Sequence, residues 1–232
     1  MTSRNGWKRF CGWCLLVAMM GCGGDPAGPR ATKPSAAYVG AYDINANDIR
    51  FLDEAEANTE APAKLSELSF QKPGGEEQKL ADLCKGKYVV LVVTRGYAGS
   101  ICPYCSTQTS RLMAGYPKFQ ERQAEVVVVY PLETAEHQPK LDDFIKRVHE
   151  IQGGKPSNVP FPLLLDVGLK AVDTLGIRSD LSKPATYILD CDGNVKYAYV
   201  GNSLSDRPSV KSLLEQLDRL NTPERPADAG RS

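Results

Sequence analysis

Residues 88–106 read YVVLVVTRGYAGSICPYCS, and the order of residue types in this stretch decides the fold. Tyr88 to Val93 form a continuous β-branched and apolar run, the pattern of a strand buried on both faces rather than on one. A short polar loop comes next, and then Pro103, a residue tolerated at the first position of a helix because the N–H it lacks would have no partner there. Cys102 stands at the junction. A thiolate at that position faces the positive end of the helix and its free N–H groups, so its pKa is expected to fall below that of a free thiol. Cys105, one helical turn further on, can reach Cys102 and close a disulfide.

The spacing admits a redox pair, half of a zinc site, or two inert cysteines. A zinc ribbon needs a second CxxC and sets the pair on a turn between short strands. Outside the N-terminal segment that holds Cys11, Cys14 and Cys22, only Cys84, Cys191, His137 and His149 stand available to complete a metal site, and none has ligand spacing to another. The strand, CxxC, helix context favours the redox pair: Cys102 is expected to attack and Cys105 to resolve, with no metal and no cofactor beyond the Cys102–Cys105 disulfide.

Working outward, the chain of 232 residues is 42% apolar and 24% charged with no net charge. That is enough to bury one sizeable core, and it gives no electrostatic footprint for nucleic acid. "LSELSFQ" followed by "KPGGEE" suggests a short hairpin, and "QKLADLCKGK" a helical turn ending at Gly86. After Cys102 a helix is expected from Pro103, interrupted near Pro117. "EVVVVY" reads as a strand, and "PKLDDFIKRVHEI" as a helix with Leu141, Phe144, Ile145 and Val148 on one face. "FPLLLD" and "GLKAVDTLGI" repeat the strand and helix. "ATYILDCDGNVKYAYVG" is a hairpin turning at Asp192-Gly193, and "SVKSLLEQLDRL" an amphipathic closing helix. Strands alternating with helices and ending in a hairpin imply an α/β domain with a mixed central sheet flanked by helices on both faces.

The N-terminus obeys a different logic. Arg4, Lys8 and Arg9 precede the short apolar segment "CLLVAMM", which meets small residues at "GCGG". This is the layout of an exported signal segment, too short for a permanent span. "AMMGC" resembles the lipobox of bacterial lipoproteins, with Met19 where that family usually has Leu. The resemblance implies residues 1–21 as signal peptide, Cys22 as the lipidated first residue, and a lipid anchor on a membrane facing an oxidising extracytoplasmic, periplasmic space. Residues 22–62, with "DPAGPRATKPSAA" near their start, read as a flexible tether, and 223–232 as a disordered tail.

Residues 63–222 resemble the thioredoxin-fold redoxins, in the peroxiredoxin-like (alkyl hydroperoxide reductase/thiol-specific antioxidant) branch. The resemblance rests on "LADLCKGKYVVLVV" leading into "CPYC", on "AEVVVVYPLE", "FPLLLDVGLKAVDTLGI", "KPATYILDCDGNVKYAYVG" and "DRPSVKSLLEQL". It implies a thioredoxin-like fold, a thiol oxidoreductase acting on partner disulfides or peroxides, an unidentified thiol as electron donor, and Pro184 as a cis-proline facing the cysteines. Pro103, Tyr104 and Lys183 would support the site. Typical peroxiredoxins carry Pro and Thr where this chain has Arg95 and Gly99, and Arg where it has Pro184; Arg95 or Lys183 are candidates to replace the missing cation. Thioredoxins carry Trp where Ile101 stands and a buried acid that "VVLVV" does not offer. A copper-carrying thioredoxin-fold protein is the alternative from another class.

The remaining candidates have plainer expectations. The fold places Cys84 and Cys191 together at the sheet end remote from Cys102, as a possible structural disulfide or as two free thiols. His137 and His149 are expected to be solvated, and Arg111 to be an ordinary exposed charge.

Overall fold

The computed structural model describes residues 44–154 and 158–222. The signal segment, Cys22, the first part of the tether and the C-terminal tail lie outside the described residues. Among the described residues seven strands form one sheet: β1 (Ser69–Gln71), β2 (Glu77–Lys79), β3 (Tyr88–Val93), β4 (Ala124–Leu132), β5 (Leu163–Val167), β6 (Ala185–Leu189) and β7 (Val195–Val200). Their spatial order is β2-β1-β5-β4-β3-β6-β7. β3, β4 and β5 run parallel, whereas β6 lies antiparallel to β3, and β1 and β7 are antiparallel to their inner neighbours.

The helices that cover this sheet are α1 (Leu80–Cys84), α2 (Pro103–Gln120), α3 (Lys140–Gln152), α4 (Lys170–Thr174) and α5 (Val210–Asn221). The alternation of β3 and β4 assigns the faces. Val90, Val92, Val126, Val128 and Tyr130 join Leu112, Phe119, Phe144, Leu213 and Leu217 from α2, α3 and α5 in one core. Val89, Leu91, Val93, Val127 and Val129 join Leu80, Ala171 and Val172 from α1 and α4 in the other. Both faces of the central strands are thus buried, as their uninterrupted apolar runs require. The mixed sheet with helices on both sides is the architecture expected from the sequence. No described helix is long and apolar enough to cross a membrane.

Several features differ from expectation. Helix α2 runs through Pro117 without a break, because Leu112, Tyr116 and Phe119 on both sides of the proline are buried in the same core. His149 is buried within α3 rather than solvated, while His137, in a 3-10 turn, stacks beside Tyr97 with ring centroids 5.3 Å apart.

Residues 49–58, read as tether, are part of the folded body. Ile49 and Ala55 are buried, the Ala55 N–H donates to Ser212 Oγ (3.1 Å), and Tyr197 Oη donates to the Ala55 carbonyl (3.0 Å). Arg111 is correspondingly not an exposed charge. Its guanidinium donates to the carbonyls of Ala46 (3.1 Å) and Ile49 (2.8 Å) and lies 5.0 Å from the centre of the Phe51 ring. This strap compensates its exposed-looking composition through backbone hydrogen bonds, which a composition-based reading does not register.

Candidate active site

The loop between β3 and α2 is built to hold Cys102 against the sheet. The Thr94 N–H donates to the Val129 carbonyl (3.0 Å) and the Tyr97 N–H to that of Pro131 (3.3 Å). Between them Gly96 adopts φ 81° and lies so close to Pro131 that a Cβ would stand 2.1 Å from its carbonyl oxygen. Only glycine fits that approach. Cys102 is then the N-cap of α2, its Sγ accepting the Cys105 N–H at 3.2 Å, with Pro103 at the start of the helix.

Both sulfurs are buried, Cys102 at 1% exposure and Cys105 at 0%. Pro103 is buried beside them, while Ile101 and Tyr104 are half-buried and pack on the same core. Arg207, in the loop between β7 and α5, reaches into this space and is itself 1% exposed. Its Nη2 lies 3.2 Å from Cys105 Sγ and 4.0 Å from Cys102 Sγ, its Nη1 donates to Gln108 Oε1 (2.7 Å), and its Nε donates to the Leu204 carbonyl (2.7 Å). Sequence reasoning missed this residue. A buried dithiol with no acid beneath it needs some polar partner, but nothing in "DRPSV" marks its arginine as internal.

The loop that carries Arg207 is tightly folded. Asp206 accepts from Tyr199 Oη (2.5 Å) and from the Asn202 N–H (2.8 Å), and a Cβ on Gly201 would stand 2.1 Å from the Asp206 carbonyl oxygen. The strap closes the loop from the other side: the Leu52 N–H donates to the Arg207 carbonyl (2.9 Å), and the Ser209 N–H returns a bond to the Leu52 carbonyl (2.8 Å).

These surroundings distribute charge unequally between the two thiols. Burial opposes ionisation of Cys105, but the hydrogen bond with Cys102, the Arg207 charge, the Arg95 backbone and the Arg207 hydrogen bond together hold it down at about 6. Burial pushes Cys102 up, and its hydrogen bond to Cys105 and the Cys105 charge push it further, against the weaker pull of Arg207 and the Cys105 N–H. The expectation of a low pKa at Cys102 is therefore reversed: the guanidinium sits closer to Cys105, and a tightly packed pair supports one negative charge, not two.

Arg95 lies in the field of both sulfurs; its side chain is buried and Nη2 reaches Asp180 Oδ2 at 3.2 Å. Tyr130 Oη, buried on β4, has no hydrogen-bond partner among the described residues. Burial first, then the charges of Cys105 and Cys102, raise its pKa well above the usual range.

Pro184 is at the dithiol end of the sheet, one residue before the Ala185 that pairs with Val93. No peptide bond among the described residues is cis, so Pro184 is trans, contrary to the family-based expectation. The Pro184 carbonyl accepts the Gly201 N–H at 2.8 Å, continuing the β6–β7 pairing. Lys183 is exposed, with its N–H bonded to the Ile177 carbonyl (2.8 Å). The side-chain cation found against the sulfurs is Arg207 rather than Lys183.

At the far end of the sheet Cys84 and Cys191 are both free thiols, so the possible structural disulfide between them is not formed. Cys84 is packed inside with Leu80 and Leu189, whereas Cys191 lies exposed in the turn after β6. Burial raises the Cys84 thiol, and the charges of Asp190 and Cys191 add to it, to about 11. Among the described residues no group of three His, Cys, Asp or Glu side chains gathers as a metal site.

The chain is 25% identical over 133 residues to the thiol-disulfide oxidoreductase ResA of Bacillus cereus, covering 57% of this chain and 65% of that protein. It is 25% identical over 150 residues to ResA of Halalkalibacterium halodurans, covering 65% and 70%. The fold is shared with a variant of peroxiredoxin 6 from Arenicola marina (TM-score 0.58, 15% identity, 70% of this chain and 74% of that one). It is also shared with the peroxidoxin BcpB of Mycobacterium tuberculosis (TM-score 0.54, 17% identity, 73% and 99%). The sequence pattern of the AhpC/TSA family matches residues 59–198, which run from before β1 into β7 and include Cys102 and Cys105, and the chain therefore belongs to the AhpC/TSA family.

Proposed function

We propose that the protein is a thiol oxidoreductase that reduces partner disulfides or peroxides through a Cys102/Cys105 dithiol–disulfide cycle. The observation that carries this reading is the buried CxxC pair at the start of α2 with a guanidinium 3.2 Å from one sulfur and 4.0 Å from the other. The names of its ResA relatives point the same way. A positive charge at that place supports thiolate chemistry and opposes a copper ion between the same two sulfurs, which disfavours a copper-carrier reading.

In the resting pair the charge lies mainly on Cys105. Transfer of the Cys102 proton to Cys105 leaves Cys102 Sγ as the nucleophile at the end of the helix. Cys102 Sγ attacks one sulfur of a partner disulfide; that bond breaks as the new one forms, and the departing thiolate takes a proton. Cys105 Sγ then attacks Cys102 Sγ and releases the second partner thiol with the second proton, so two electrons have passed to the partner. With a peroxide, Cys102 Sγ takes one oxygen as a sulfenic acid while the O–O bond breaks and the other oxygen leaves protonated. Attack by Cys105 then expels water and closes the same disulfide. A separate thiol donor restores the dithiol. The lipobox-like "AMMGC" adds that this chemistry takes place on the extracytoplasmic side of a membrane, held there through Cys22.

The test is the oxidation rate of the reduced full chain by hydrogen peroxide and by a peptide disulfide, beside its Cys102→Ser variant. A rate far above that of an ordinary thiolate, lost with Cys102, supports the cycle and identifies the oxidant. Ordinary rates with both oxidants overturn it.

A further inference from the structure

Tyr130 carries a fully buried hydroxyl that has no hydrogen-bond partner among the described residues. An orphaned buried donor costs free energy that a phenylalanine would avoid, so the hydroxyl points to another state of the site in which it is used. Its place is at the dithiol. The carbonyls on either side of it in β4, those of Val129 and Pro131, accept the Thr94 and Tyr97 N–H groups and so hold the loop that leads to Cys102. The Tyr130 side chain lies on the face of the sheet that α2 covers, in the same core as Cys102 and Cys105. There it packs on Phe144 of α3, with ring centroids 4.7 Å apart.

The other orphaned atoms of this region have local alternatives. Thr107 Oγ1 and Thr109 Oγ1 lie on α2, where a threonine hydroxyl can turn to the carbonyl one turn back. Gln108 is held to Arg207 through its Oε1. The Tyr130 hydroxyl stands at the end of a rigid ring, away from the backbone of its own strand.

The dithiol cycle proposed above, on which this inference rests, passes through a state that needs a donor. Once Cys102 Sγ has joined a partner sulfur, the first departing thiolate takes the proton held on Cys105, and Cys105 is left as a buried thiolate. Cys102, now in a disulfide, has no S–H to offer, although its hydrogen bond is the largest of the favourable influences on Cys105 in the resting pair. We propose that the Tyr130 hydroxyl donates to Cys105 Sγ in this mixed disulfide, replacing the lost bond from Cys102 and readying Cys105 for the attack that resolves it. Cys105 Sγ then bonds to Cys102 Sγ, the bond from Cys102 to the partner breaks, and the second departing thiolate takes its proton from water. The tyrosine proton stays on Oη throughout, held there by burial and by the charges of Cys105 and Cys102.

Besides the two cysteines, the titratable or charged groups facing Tyr130 are Tyr97 and Arg95, both from the loop after β3. Helix α3 presents the apolar Phe144, and Arg207 reaches the sulfurs from the loop after β7. None of these differs between the variants compared below.

The experiment mixes the reduced full chain with oxidised glutathione and quenches it in acid at successive times. Mass spectrometry then quantifies the Cys102–glutathione mixed disulfide and the Cys102–Cys105 disulfide, in wild type and Tyr130→Phe. The first step is expected to stay within about twofold, since Tyr130 makes no bond in the resting pair, and the second to slow by about tenfold, so that the mixed disulfide accumulates. Denaturant melts of Tyr130→Phe are expected to show no loss of stability, because the hydroxyl removed has no partner. A folded Tyr130→Phe whose second step keeps the wild-type rate, or one that loses stability and slows in both steps alike, overturns the role. A second variant keeps Tyr130 and removes the Cys102 thiol. In Cys102→Ala, read as the difference from Cys102→Ala/Cys105→Ser, the Cys105 thiolate absorbance is expected to rise below the free-thiol range, about 8.5. A rise at or above that range overturns the role even if Tyr130→Phe does not fold. A wild type in which neither disulfide forms overturns the dithiol cycle instead, which is a distinguishable result.

Discussion

Two pairs of cysteines occupy opposite ends of the β3–β6 pairing, and their surroundings are electrostatic opposites. At one end Cys102 and Cys105 share a helix start, a guanidinium and a backbone amide, and one of the two is ionised near neutral pH. At the other, Cys84 lies in an apolar core beside the Asp190 carboxylate and is held protonated up to about 11. Cys84 and Cys105 differ less in how deeply the sulfur is buried than in the sign of the charge beside it. Cys84 and Cys105 are equally inaccessible at 0% exposure, yet their pKa values move in opposite directions. Burial alone makes a thiol inert; burial with a cation makes it a thiolate.

The largest expected effect separates the two ends by activity. Cys102→Ser and Cys105→Ser should each abolish turnover with peroxide or peptide disulfide, while Cys84→Ser and Cys191→Ser should leave it within about twofold, since neither touches the dithiol. Steady-state assays of the four variants check this, and a large loss in Cys84→Ser would break the contrast.

The next prediction concerns pH. Cys105 has a lower pKa folded than as a free thiol, so the stability it contributes to the reduced protein is fully present above about 8.5 and is lost as the pH falls through about 6. The oxidised protein has no such dependence. Denaturant melts of both forms between pH 5 and 8 should therefore show the reduced form gaining stability relative to the oxidised one as the pH rises, with thiolate absorbance showing a step near pH 6 in the reduced form alone.

A smaller effect is expected from the strap. Deleting the chain through residue 58 removes the buried Ile49 and Ala55 and the Leu52 bonds to the Arg207 loop, at a cost of about 3 kcal/mol. Denaturant melts measure it, and the reduced form should lose more than the oxidised one because only the reduced form uses Arg207 as an ion-pair partner.

The smallest effect lies at the far end. Although burial opposes it, the side-chain and backbone bonds from Asn194, with Lys196 and the Asp192 N–H, hold the Asp190 carboxylate down at about 2. Its contribution is complete above the ordinary carboxylate range, about 4, and disappears as the pH falls through about 2. Asp190→Asn should cost about 1 kcal/mol near neutral pH and lower the Cys84 pKa, measured by the pH dependence of its alkylation in mildly denaturing conditions.

Much of this was legible in the chain itself. The run Tyr88 to Val93 declared a strand buried on both faces, Cys102 and Pro103 marked a helix start, and Asp192-Gly193 marked a hairpin, because periodicity, capping and turn chemistry are local properties of a few consecutive residues. They set the order of strands and helices and singled out the CxxC pair. Tertiary structure decided the rest. Arg207 lies 102 residues from Cys105 in sequence and became its neighbour only when α5 packed beside α2. Residues 49–58, which carry no sustained apolar period, became a strap because distant groups satisfied their backbone. Which sulfur carries the charge depended on those placements: Coulomb interaction varies with distance in space, and the sequence specifies that distance only through the completed fold.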